Sequence, residues 1–290
     1  MKRILILIAL VAIAGIAGIV RSRTHSGDFD RLVSRNASQD VRDEFRQSYQ
    51  LAPGASVELS SINGAVKIET SDTQTAEVFI ERTGASQEAL NRRKITVEAT
   101  SNSLRIQGEK GDVGLIAKLF GTKPSEKITL KLPRQISLHT KGVNGSVLVG
   151  EIDGSVDVHG VNGRVQIAGA SGTAEFKGIN GNILVGLKQI NEQGVNLNGI
   201  NGNIELQLSQ GINADLDANG MNGRIVSDMS DVTIDKSKHG RYSARIGTGG
   251  SSITAKGING NIRLTRAGVP TEATDADSRS KDSSASSKAN

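Results

Sequence analysis

Residues 142–167 read GVNGSVLVGEIDGSVDVHGVNGRVQI, and the spacing of apolar and turn-forming residues in this stretch decides the fold. Gly142-Val143-Asn144-Gly145 returns 18 residues later as Gly160-Val161-Asn162-Gly163. Val147 and Val149 follow the first Asn at the third and fifth positions, and Val156 and Val158 precede the second at the sixth and fourth. Alternation with period two places side chains on one face of an extended strand. Each unit therefore reads strand, turn, strand. The residue directly before each Asn is also apolar, so the alternation slips by one step at the turn and aims that side chain inward. Asn tolerates and Gly readily adopts left-handed backbone, which suits a tight corner.

The motif recurs at Gly178–Gly181, Gly199–Gly202, Gly220–Gly223 and Gly257–Gly260, with a weaker copy at Ser61-Ile62-Asn63-Gly64. The turn pairs are thus Asn63-Gly64, Asn144-Gly145, Asn162-Gly163, Asn180-Gly181, Asn201-Gly202, Asn222-Gly223 and Asn259-Gly260. From Asn144 onward the Asn-to-Asn intervals are 18, 18, 21, 21 and 37 residues. The last reads as two units, with His239-Gly240 standing in for one degenerate Asn-Gly. Such self-similarity marks a repeat architecture. Strand, turn, strand, turn fits either a β-solenoid or an antiparallel meander with Asn-Gly hairpins. The constant phase of the tetrapeptide favours the solenoid, in which asparagines would stack about 4.8 Å apart and could form an amide ladder.

Composition agrees with thin repeated layers. Hydrophobic residues make up 36% of the chain but aromatics only 2%, and 34 glycines stand against four prolines without a collagen period. The net charge of +5 is scattered and does not call for nucleic acid. Cysteine is absent, which removes thiolate chemistry and disulfides.

Lys2 and Arg3 precede an uncharged run, Ile4 to Val20, which Arg21 and Arg23 close. This is an export signal. Residues 1–23 read either as a cleaved signal peptide or as a membrane anchor through 4–20, since the run also meets the lower length for a span of about 17–25 residues. Residues 24–43 read as a linker, 44–266 as the β domain and 267–290 as a disordered tail. Within the domain, a short helix is expected at Ser86–Arg93 and a looser, partly apolar segment at 108–124.

The Gly-Ile-Asn-Gly repeat, the upstream Pro53-Gly54 and Ser61-Ile62-Asn63-Gly64, and the run Leu130-Lys131-Leu132-Pro133 resemble the bacterial putative-adhesin domain family, head-GIN domains included. The resemblance spans roughly Phe45 to Arg266. It implies a right-handed β-helix-like solenoid, export or membrane attachment, and no catalytic residues.

Catalytic constellations are sparse. The histidines are His25, His139, His159 and His239, and their differing offsets from the nearest Asn argue against one stacked metal site. No Gly-x-Ser-x-Gly elbow or phosphate loop occurs. Asp153, Asp157, Asp215 and Asp217 are the carboxylates to consider for polysaccharide cleavage, and alternation sends the last three to solvent. The second residue after each Asn forms a polar stripe, Ser146, Arg164, Asn182, Asn203, Arg224 and Asn261, with Arg164 and Arg224 as the candidate binding face. The expectation is a non-enzymatic binding or adhesion module, without cofactor or metal, in the periplasm or at the cell surface, whose partner is an envelope protein or polysaccharide. The alternative is a self-associating structural or signalling scaffold; a polysaccharide-active enzyme ranks third.

Overall fold

The computed structural model describes residues 41–109, 124–238 and 240–268. The expected export segment and tail fall on residues 1–23 and 267–290, and 1–40, 110–123, His239 and 269–290 lie outside the described residues; β1 begins at Val41, inside the stretch 24–43 expected as a linker.

Among the described residues the chain is all-β with one short helix. The first part comprises β1 (Val41–Gln50), β2 (Ala55–Ile62), β3 (Gly64–Ser71), β4 (Thr75–Gly84), α1 (Gln87–Arg92), β5 (Ile95–Thr100), β6 (Ser103–Gly108) and β7 (Ser125–Pro133). The repeats follow as β8 (Ile136–Val143), β9 (Val147–Ile152), β10 (Val156–Val161), β11 (Val165–Ala170), β12 (Ala174–Asn180), β13 (Ile183–Leu187), β14 (Val195–Asn201) and β15 (Ile204–Leu208). The last part is β16 (Ala214–Asn219), β17 (Ile225–Ser227), β18 (Val232–Lys238), β19 (Arg241–Ile246), β20 (Ser251–Asn259) and β21 (Ile262–Arg266).

These strands make two sheets. One is ordered β1-β4-β7-β3-β9-β11-β13-β15-β21-β17, the other β18-β19-β16-β20-β14-β12-β10-β8-β2-β6-β5. Within the repeats, the strand before each Asn-Gly lies in the second sheet and the strand after it in the first. Neighbours pair in parallel, one repeat apart: Val156 faces Leu138 and Ala174, and Val165 faces Val147 and Ile183. The Asn-Gly steps are therefore corners between sheets and not hairpins, which would give antiparallel neighbours.

Period two sets the core. Val147, Val165, Ile183, Ile204, Ile262 and Ile225 are buried as one column, and the residues before each Asn, Ile62, Val143, Val161, Ile179, Ile200, Met221 and Ile258, are buried as another. The two glycines of each motif serve different needs. Gly199 has φ +64°, a left-handed turn that leaves space around it, whereas a Cβ on Gly202 would lie 2.3 Å from the Gly181 carbonyl oxygen. The first glycine permits the bend and the second permits the stacking of one corner on the next. Ser61 takes the first-glycine place in the weak copy and is the only non-glycine with positive φ among the described residues, at 57°.

The first part caps one end of the stack. β4 runs antiparallel to both β1 and β7, which joins the parallel strands through β3. The expected short helix is present as α1. Ser86 caps its first turn by accepting from the Ala89 N–H at 3.2 Å, Leu90 is buried, and Arg82 donates to the Leu90 and Arg93 carbonyls at its end.

One expectation about the long interval is corrected. The segment around His239-Gly240 is not a degenerate repeat: β18 and β19 form an antiparallel hairpin, and β19 lies antiparallel on β16. Val232 and Ile234 sit out of register because β18 is the outer arm of that hairpin and not a rung. Stacking also departs from chain order. β20 lies between β14 and β16, and β21 between β15 and β17, so the Asn259 unit stands between the Asn201 and Asn222 units. Both neighbouring corners carry the same motif, so a unit arriving last in sequence fits between them as well as beyond them.

Two stability predictions follow from phase and order. Ile204→Asp should cost several kcal/mol, because an unpaired buried carboxylate lacks compensation, while Glu205→Gln on the outer face should stay within about 0.5 kcal/mol. Equal urea midpoints for the pair would contradict the strand phase. Ending the chain before Ser251 should leave β14 and β16 without their shared partner, giving loss of the cooperative transition and aggregation in size-exclusion chromatography; a soluble monomer with an unchanged midpoint would contradict the inserted position of β20.

Candidate functional site

The corner asparagines form one continuous row. Asn222 Nδ2 donates to Asn259 Oδ1 at 3.0 Å, Asn259 to Asn201 at 2.9 Å, Asn201 to Asn180 at 3.0 Å, Asn180 to Asn162 at 3.1 Å, Asn162 to Asn144 at 3.1 Å and Asn144 to Asn63 at 2.9 Å. Asn63 Nδ2 closes the row on the Pro124 carbonyl at 2.7 Å. The weak copy is thus a full rung. Beyond it, Glu126 occupies the next place with its side chain fully buried, accepting from the Asn63 backbone N–H at 2.7 Å and from Arg93, which also reaches the Ser61 carbonyl. A buried carboxylate needs such partners.

The polar stripe beside this row is partly committed to the stack. Asn182 Oδ1 accepts from the Asn203 backbone N–H at 2.9 Å, Asn203 Oδ1 from Asn261 at 3.0 Å and Asn261 Oδ1 from Arg224 at 3.1 Å. Arg164 and Arg224 are exposed and share this stripe, but Asn182, Asn203 and Asn261 separate them. At about 4.8 Å per rung they stand roughly 19 Å apart on that shared outward position. Insertion of the Asn259 unit adds one of the rungs between them.

The outer face of the second sheet carries more charge. Register pairs Lys141 with His159, His159 with Lys177, Lys177 with Asn198, Asn198 with Lys256, Lys256 with Asn219 and Asn219 with Arg241. This row of Lys, His, Asn and Arg crosses the whole repeat region. Beside it runs Glu58, His139, Asp157, Glu175 and Asn196.

His139 and His159 come together here, against the expectation from their offsets. They lie two places apart along adjacent strands, on the same face, so both reach Asp157. His139 Nδ1 is 3.5 Å from Asp157 Oδ2, and His159 Nε2 is 2.7 Å from Asp157 Oδ1 and 3.6 Å from Glu175 Oε1. His139 and His159 are diagonal neighbours across strands, which share no column but stay within reach of one carboxylate. Offsets of −5 and −3 from Asn are both outward and adjacent.

The other carboxylates stand apart. Asp215 accepts from the Gly250 backbone N–H at 2.9 Å and from Arg245 at 3.2 Å, contacts that hold its carboxyl below the usual range and fasten the turn entering β20. Glu151 is likewise held low, first by its bond to Lys188. An open cleft of about 630 Å³ lies near this turn, lined by Lys188, Gln189, Ile190, Gln210, Ile212 and Ser251 among others.

No family model and no curated protein matches the chain. Solved structures do. A protein described as a putative cell adhesion protein from Clostridium sporogenes is 13% identical with a TM-score of 0.38, the match covering 77% of this chain and 100% of that one. A putative adhesin from Bacteroides fragilis is 11% identical with a TM-score of 0.31, over 77% and 97% of the two chains. A putative lipid binding protein from Parabacteroides distasonis is 13% identical with a TM-score of 0.27, over 77% and 96%.

The row itself makes a graded prediction. Asn201 both donates and accepts along it, whereas Asn222 at its end only donates. Asn201→Ala should destabilise by about 1–2 kcal/mol and Asn222→Ala by roughly half of that. Urea unfolding of the two variants would show the ranking; equal losses would mean that the corner backbone, not the amide row, sets the cost.

Proposed function

We propose that the chain is an exported, non-enzymatic binding module of the bacterial cell envelope that lays an anionic polymer along the outer face of its second sheet. The observation that carries this reading is the row Lys141, His159, Lys177, Asn198, Lys256, Asn219 and Arg241, repeated at strand spacing on a flat surface. Cations set about 4.8 Å apart, or at multiples of that step, can follow an extended chain of phosphates or carboxylates. Flat repeated surfaces serve this task well.

In this reading the repeat region is a right-handed β-solenoid. Its support is the parallel pairing at steps of 18 and 21 residues, with alternate strands in opposite sheets. Parallel crossovers are right-handed in nearly all sheets. The sequence resemblance to the putative-adhesin domain family supports the same reading. Export rests on Lys2, Arg3 and the Ile4–Val20 run. The non-enzymatic assignment rests on the dispersal of Asp153, Asp157, Asp215 and Asp217 along the stack and on the absence of a nucleophile motif from the sequence.

Lys141→Glu, Lys177→Glu and Lys256→Glu combined should abolish salt-sensitive retention on a polyanionic envelope glycopolymer while the melting curve holds. Arg164→Glu with Arg224→Glu should weaken retention less. Retention unaffected by the lysine changes would remove this face from consideration, and turnover of the polymer by the wild-type protein would end the non-enzymatic reading.

A further inference from the structure

We infer that His159, Asp157 and Glu175 form a binding site for a divalent transition cation of the zinc class, with His139 positioning Asp157. The sequence Asp157-Val158-His159 places both donors on one face of β10, because residues two apart in a strand point the same way. Glu175 of β12 faces Asp157 in register, and His139 of β8 faces it from the other side. Three strands thus deliver the four side chains to one spot.

The donor atoms of Asp157, His159 and Glu175 all lie within 4.8 Å of one another. A ligand–metal bond of about 2.1 Å would convert separations of 2.7 Å and 3.6 Å into angles of roughly 80° and 120° at a shared ion. The wider angle lies near the tetrahedral value that zinc favours, and the narrower one opens toward it when the Asp157–His159 separation widens by several tenths of an ångström on binding. The second observation is independent of the spacing. Asp157 Oδ1 and His159 Nε2 are shielded from solvent and face each other at 2.7 Å, and neither makes a hydrogen bond to any further group. A carboxylate oxygen and an imidazole nitrogen this close are held together by a proton on the nitrogen or by a cation bonded to both. A cation bonded to both, with Glu175 as a third ligand, replaces that proton.

The chemistry selects among cations. An imidazole nitrogen with two carboxylates suits zinc and its neighbours in the first transition row, whereas magnesium and calcium prefer all-oxygen shells. His139, 3.5 Å from Asp157 Oδ2, touches the oxygen that the cation does not use and fixes the orientation of the carboxylate. Lys177 Nζ lies 3.8 Å from Glu175 Oε1 and is the group that the cation would displace. Lys141, the other neighbour of His159 in its row, forms no ion pair among the described residues.

Isothermal titration of the metal-free full-length protein with zinc chloride tests the site directly, without any polymer ligand. The expected result is one saturable site per chain that magnesium and calcium do not compete away. His159→Ala and Glu175→Gln should each weaken it by at least about tenfold, and His139→Gln by about tenfold. Lys177→Met should tighten it. His25→Gln with His239→Gln should leave it unchanged, which separates this site from the remaining histidines. Circular dichroism melts of the apo variants should match wild type, because all four side chains face outward. Absence of saturable zinc binding, or binding that survives both His159→Ala and Glu175→Gln, would overturn the assignment. Zinc binding with no polymer retention would leave the site standing and remove only the polymer reading.

Discussion

Everything in the repeat region depends on keeping each corner directly above the last. Parallel strands alone do not guarantee this, since a slip of two residues would keep the same faces buried. The asparagine row removes that freedom. Its side chains stand at the corners, and each amide reaches its neighbour only if both corners are level. A slip breaks two amide bonds and drives the second glycine's place, now filled by another residue, into a carbonyl. Register is therefore fixed by polar contacts at one edge, while the apolar columns supply cohesion without choosing among near alternatives. The corner is a small part of each repeat and sets the position of all the rest.

That constraint has a further effect on assembly. Since every corner presents the same donor and acceptor, the row does not record which unit comes next in the chain. The Asn259 unit exploits this by settling between Asn201 and Asn222, followed in space by the β18–β19 hairpin that covers β16. Folding cannot then be simple addition of one repeat after another. The Asn222 unit reaches its final neighbours only once the last unit is in place, which raises the sequence separation of its contacts and slows its completion relative to the middle repeats.

The repeats were legible in the sequence because burial in a strand follows a period of two and a corner demands particular residues. Every apolar position directly before an Asn proved to be buried, and the helix near Ser86 formed where a capping serine and Leu90 permit it. The strand order was not legible, for the reason just given: Gly220–Gly223 and Gly257–Gly260 are equivalent at the corner. The hairpin at residue 240 looks like a rung in sequence because Tyr242 and Ala244 keep the inward pattern of one while running the opposite way. The histidine cluster escaped for another reason. Side chains at unequal offsets share no column, yet diagonal neighbours on a sheet remain within reach of long residues. Asp157 lies between His139 and His159 across just such a diagonal.

The asparagine row also has a direction. Every amide donates toward the Pro124 end, and all but the terminal Asn222 accept from the other side, so the individual dipoles add in place of cancelling. The stack acquires a weakly positive head and a weakly negative tail, as an α-helix does from its peptide units. At the head the Asn63 amide donates to the Pro124 carbonyl, and the Asn63 backbone N–H beside it donates to the Glu126 carboxylate, whose negative charge is favoured near that end. The tail ends at the Asn222 carbonyl in solvent. A protein made of nearly identical steps thus carries an electrical polarity along its axis, and its two ends differ in character before any specific contact is made.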